Sequence, residues 1–122
     1  MSLTAIVLSA LAALVFLLAG TQKVLLRPQV SANLLRLGVG PAMTRSIGVL
    51  EIAGALGLMV GVWARPLAVV AAIGLTLLLF GAIGYHLRAR DFSREQHRSH
   101  AAAPVLLALL TSANVIALLM AP

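Results

Sequence analysis

Four long apolar runs fix most of what this chain can become: Leu3 to Gly20, Ile47 to Ala64, Leu67 to Tyr85 and Ala101 to Ala121. Each approaches the ~20 residues that a helix needs to cross a ~30 Å hydrocarbon core. They dominate a chain of 122 residues that is 61% hydrophobic and only 10% charged. A soluble bundle of this size needs a polar surface that these residues cannot supply. A transmembrane β-barrel would show short segments of alternating hydrophobicity, and the runs do not alternate. No Lys or Arg precedes the first run and three more runs follow it, so it does not read as a signal peptide. The sequence predicts an all-α, integral membrane four-helix bundle. It forms a single transmembrane domain over 1–122, with spans at about 3–22, 43–63, 66–87 and 101–120.

The connections differ in length and chemistry. After the first span, Pro28 ends or bends the helix, and VSANLLRLG follows. There Val30, Leu34 and Leu37 recur at i, i+4, i+7, one apolar face of a short helix closed by Gly38. That pattern predicts an interfacial or re-entrant helix packed on the bundle. Pro41 suits the first helical position of the second span, and Pro104 the first turn of the fourth. The stretch RARDFSREQHRSH is polar and reads as a loop with a short helical turn.

The net charge of +6 is concentrated in two of these connections. Lys23, Arg27, Arg36 and Arg45 lie between spans one and two; Arg88, Arg90, Arg94 and Arg98 lie between spans three and four. The turn between spans two and three holds only Arg65. The positive-inside rule then puts both long connections in the cytoplasm and both termini outside. The charges serve topology and attraction to anionic headgroups. No aromatic interleaving or basic fold motif accompanies them, so no nucleic-acid partner is expected. With no cysteine, thiolate chemistry and cysteine-ligated clusters are excluded.

Only Glu51, in SIGVLEIAGALGLMVGVW, is an ionisable residue deep within an apolar run. Charge in hydrocarbon is costly, which makes an intramembrane acid a functional candidate. Glu51 is the candidate catalytic acid or base. The alternative is an acid paired with Lys23, Arg45 or His86, or bonded to Thr and Asn, that only fixes helix register. Counting depth from Pro41 and from Ala101 puts Glu51 level with Thr111 and Asn114. The expected ligand-binding set is therefore Lys23, Glu51, His86, Thr111 and Asn114. Gly48, Gly54 and Ala55 flank the acid with small side chains. On a different face Ala53, Gly57 and Gly61 form overlapping small-xxx-small steps, a helix-packing surface. Trp63 and Tyr85 read as interfacial anchors. His97 and His100 are three apart but lie in a basic loop without an acid pair, so they read as solvated and no metal site is expected. No His lies within a span to ligate haem. Gly38 and Gly40 lack the strand–loop–helix context of a phosphate cradle.

Three stretches carry a family pattern: FLLAGTQKVL, LGVGPAMTRSIGVLEIAGALGLMVGVWARP and LAVVAAIGLTLLLFGAIGYHLRARD. Gly20-x-x-Lys23 closes the first span, Gly48-x-x-Glu51 sits in the second and His86 closes the third. Over nearly its whole length the chain resembles the DoxX-like family of small bacterial four-helix membrane proteins. The resemblance implies a multi-pass protein of the bacterial inner (plasma) membrane. Namesakes of the family are linked to quinone-dependent thiosulfate oxidation, and other members act as membrane partners or assembly factors. The implied cofactor is a quinone and the implied partner a redox enzyme; membrane lipid is expected from the spans, and further copies of the chain from the small-residue faces. Three readings follow. The first is a subunit that binds a quinone or other lipid near Glu51 in support of a redox system. The second is an enzyme that uses Glu51 for acid/base chemistry on an isoprenoid-like lipid. The third is a packing partner without chemistry.

Overall fold

The computed structural model describes residues 2–120; Met1, Ala121 and Pro122 lie outside the described residues. The chain is 87% helical. Its helices are α1 (Leu3–Val24), α2 (Pro28–Arg36), α3 (Pro41–Val60), α4 (Arg65–Arg88) and α5 (Glu95–Met120), with a 3-10 turn at Asp91–Ser93 before α5. Four of them, all but α2, are long and apolar enough to cross a membrane. The expected all-α membrane bundle is what forms.

Local chemistry sets the helix ends. Ser2 caps α1, its Oγ accepting from the Ala5 N–H at 3.1 Å. Pro28 does not bend α1; it starts α2, just as Pro41 starts α3, because a first-turn proline loses no helical bond. Two helices close in Schellman turns. Leu26 and Arg27 donate back to the carbonyls of Lys23 and Gln22, and Gly38 and Val39 to those of Leu35 and Leu34. Such a turn needs positive φ at its first outer residue, which Gly38 supplies at 89° and Leu26 adopts at 52°. The fourth long helix differs most from expectation. It starts at Glu95, so Glu95 to His100 are helical and Pro104 lies inside the helix instead of in its first turn.

In the bundle, α1 packs between α3 and α5, and α4 completes the square between the same two helices. The core is built largely from small residues, among them Ala5, Ala12, Ala13, Ala55, Ala68, Ala72 and Ala108. Large apolar side chains such as Leu14, Leu18, Leu50, Val70, Leu106 and Leu109 point outward. Water would penalise that surface, but lipid tails solvate it, and small residues let the helices approach closely. Glycine makes the closest approach of all. A Cβ placed on Gly48 would stand 2.7 Å from the Gly20 carbonyl oxygen, and one on Gly20 2.7 Å from that of Gly48. Here α1 and α3 touch backbone to backbone. Further along α3, Gly54 meets Leu75, Gly57 meets Ala71 and Gly61 meets Ala68. The face carrying Gly57 and Gly61 thus packs on α4 of the same chain, while Ala53 is exposed.

Candidate functional site

The Gly20–Gly48 crossing determines what stands next to it. Lys23 follows Gly20 by three residues and Glu51 follows Gly48 by three, so both lie one turn from the contact. Lys23 Nζ reaches Glu51 Oε1 at 2.5 Å. Glu51 is buried, 4% exposed. A carboxylate and an ammonium together in hydrocarbon cost far less than either alone, which accounts for the pair's survival at this depth. Asn114 Nδ2 is the one fully buried polar side-chain atom left unpaired among the described residues. Glu51 also lines a cavity beside the pair.

That cavity is about 500 Å³ in volume and lies at the basic end of the bundle. All five helices contribute to its wall: Phe16 and Lys23 from α1, Val30, Asn33 and Leu34 from α2, Ile47 and Glu51 from α3, Tyr85 and His86 from α4, His100 and Pro104 from α5. Leu37, just past α2, lines it too, so the i, i+4, i+7 face of the short helix forms one of its walls. The volume lies within the ~300–1,000 Å³ of small-ligand sites, and apolar walls with a few polar groups are their usual lining.

His86 enters this wall with a fixed orientation. Its ring is 4% exposed and its Nδ1 lies 2.5 Å from Asp91 Oδ2. Asp91 is fully buried and also receives both arms of Arg36, Nη1 to Oδ1 at 2.8 Å and Nη2 to Oδ2 at 2.9 Å. The Arg36 guanidinium, followed by the His86 bond, holds the Asp91 carboxyl well below the usual carboxylate range against the opposing effect of burial. The same hydrogen bond raises the Arg36 guanidinium. An ionised carboxylate only accepts, so Nδ1 of His86 is the donor. Nε2 has no partner among the described residues and is not an orphaned buried atom, so it faces accessible space. The arrangement presents two groups able to hold or exchange a proton, the Glu51 carboxyl and His86 Nε2, beside one apolar cavity.

The sequence set is divided by the fold. Lys23, Glu51 and His86 come together around the cavity; Thr111 and Asn114 do not line it. Asn114 Oδ1 instead accepts from Ser9 Oγ at 3.2 Å, and Thr76 Oγ1 donates to Thr111 Oγ1 at 2.8 Å. Ser9 is fourteen residues from Lys23, about 21 Å along α1. Helix α5 begins six residues before Ala101, which puts Thr111 and Asn114 past its midpoint, toward the other end of the bundle. Three residues of the site were not singled out from sequence. Arg36 is counted in the sequence only among the topological charges, and Asp91 has no local signal. His100 read as solvated; it is exposed, yet it lines the cavity. Pro104 lacks an N–H, so the His100 carbonyl has no helical donor one turn on. Among the described residues no three of His, Asp and Glu gather as a metal site.

The family model that matches the chain is that of the DoxX-like family, over residues 7–114. No curated protein and no solved structure matches it.

Proposed function

The chain belongs to the DoxX-like family of membrane proteins, and from its cavity we propose that it is a membrane subunit binding a quinone-like lipid beside Glu51 in support of a redox partner. The observation that carries this reading is the cavity itself: about 500 Å³, apolar through most of its wall, with Lys23, Glu51 and His86 on its lining. A quinone head fits that chemistry. Its carbonyl oxygens accept hydrogen bonds, which Lys23 Nζ can donate, and the hydroxyls of its reduced form can donate to His86 Nε2. A bound quinone supplies two-electron, two-proton redox chemistry. Glu51 and His86 stand where a proton would be taken up or released, and Asp91 keeps the His86 ring aimed. The chain has no cysteine relay, so electrons come from the redox partner. In this reading the protein lies in the bacterial inner membrane with both termini outside.

Native mass spectrometry of the gently extracted protein tests the proposal. Wild type should retain a prenyl quinone, and Glu51→Gln, which preserves shape and hydrogen bonding, should weaken retention only partly. Retention of phospholipid alone would overturn the assignment. An activity on an isoprenoid lipid that Glu51→Gln abolishes in folded protein would replace it with an acid/base enzyme.

A further inference from the structure

The cavity has a covered end and an open side. At the basic end α2 lies across it, and the Arg36–Asp91 clamp fastens the last residue of α2 to the turn beyond α4. The side is different. Near the tight α3–α4 turn the two helices are in close contact: Gly61 on Ala68, Gly57 on Ala71, Gly54 on Leu75. Ala71, Leu75, Leu78 and Ala82 continue one stripe of α4 at alternating steps of four and three. Beyond Leu75 that stripe leaves α3, and Leu78 and Ala82 line the cavity instead. A Cβ on Gly81 would meet no atom within 4 Å. Ile47 and Glu51 of α3 line the same cavity, so toward the basic end it lies between α3 and α4.

The outer rim of this gap faces hydrocarbon. Leu77 is 63% exposed and Gly81 is exposed, one turn apart on the outside of α4, and both line the cavity. Gly81 precedes Arg88, the last residue of α4, by seven positions, about 10 Å along the helix and thus below headgroup level. Met43, also exposed, lines the cavity from α3.

We infer that the gap between α3 and α4 is a lateral portal, and that the ligand is a single-chain lipid which enters from the bilayer head first and leaves its apolar chain lying over Gly81. This rests on the quinone reading above and adds the route and the chain. A side chain at Gly81 would fill the passage. The absence of one costs the helix stability relative to alanine, and nothing packs there to require it.

The test uses the full chain in phosphatidylcholine nanodiscs, with empty discs as the partition control. Two probes are compared: a benzoquinone bearing a decyl chain, and the same ring with a methyl group in its place. Gly81→Phe should weaken the chain-bearing quinone by about tenfold or more and change the tailless one less than about twofold. Gly84→Phe is the matched control. Gly84 is an equally open glycine on α4 that does not line the cavity, and its replacement should change neither. Should Gly81→Phe fold poorly by thermal melt, Gly81→Leu gives the same discrimination with a smaller plug. Equal loss of both probes, loss of neither, or the same loss in Gly84→Phe overturns the portal while leaving the binding site standing. If wild type binds neither quinone, the proposed function falls and the portal with it.

Discussion

Gly48→Ala should destabilise this protein although alanine is the better helix former. The added Cβ would stand 2.7 Å from the Gly20 carbonyl oxygen, 2.9 Å from Lys23 Cβ and 3.0 Å from Val24 Cγ2. Ordinary contact begins near 3.4 Å, so α1 and α3 must separate by about 0.7 Å. Two of the three obstacles are the oxygen of a helical backbone and a Cβ, neither of which can rotate away. Overpacking of this kind costs about 1–3 kcal/mol, and helix propensity returns at most about 1 kcal/mol. The expected net loss is about 1 kcal/mol. Gly74→Ala makes the same chemical change in open space and should gain up to about 1 kcal/mol. The two variants should thus differ by about 2 kcal/mol and in sign. Unfolding in mixed detergent micelles, followed by far-UV circular dichroism, measures both. The Lys23–Glu51 pair should survive, since a 0.7 Å shift leaves a 2.5 Å contact near hydrogen-bonding distance, about 3.2 Å. If Gly48→Ala and Gly74→Ala move stability in the same direction by similar amounts, the backbone contact between α1 and α3 does not hold the bundle together.

Asp91→Asn should cost about 2–3 kcal/mol, less than for a fully buried pair because the Arg36 side chain is 29% exposed. Its pH dependence has a definite sign. The folded carboxyl is depressed, so its contribution is present above the unfolded value near ~4 and is lost as pH falls toward the folded one. The stability gap between wild type and Asp91→Asn should narrow as pH falls below about 4; a gap that does not narrow there would contradict the clamp. The proposed orientation rests on eight basic residues at one end of the bundle against one at the other. An impermeant thiol reagent on intact cells should label Ser2→Cys and spare Ser93→Cys, and the reverse pattern would invert the protein.

What the sequence exposed and what it hid divide along one physical line. Hydropathy reports which residues tolerate hydrocarbon, so the four spans and the lone acid within them were legible. The sequence offers Lys23, Arg45 and His86 as alternative partners for Glu51 without choosing among them; the close Gly20–Gly48 crossing is what selects Lys23. Hydropathy does not report where a helix begins. Glu95 to His100 are too polar to count as span, yet they continue α5 without a break. Missing that extension placed Thr111 and Asn114 beside Glu51, when they belong to a second polar cluster with Ser9 and Thr76. It also hid His100 and Pro104 from the cavity wall. Asp91 was hidden for another reason. In RARDFSRE it is an acid among arginines, a pattern common on solvated surfaces, and its partner Arg36 lies 55 residues away. Only the folding back of α2 brings them together. The clamp that orients His86 is thus a tertiary fact, made by one charge at the end of α2 and one in the 3-10 turn that local pattern would assign to water. Burial of Asp91, not its position in the sequence, is what separates it from Glu95 four residues on.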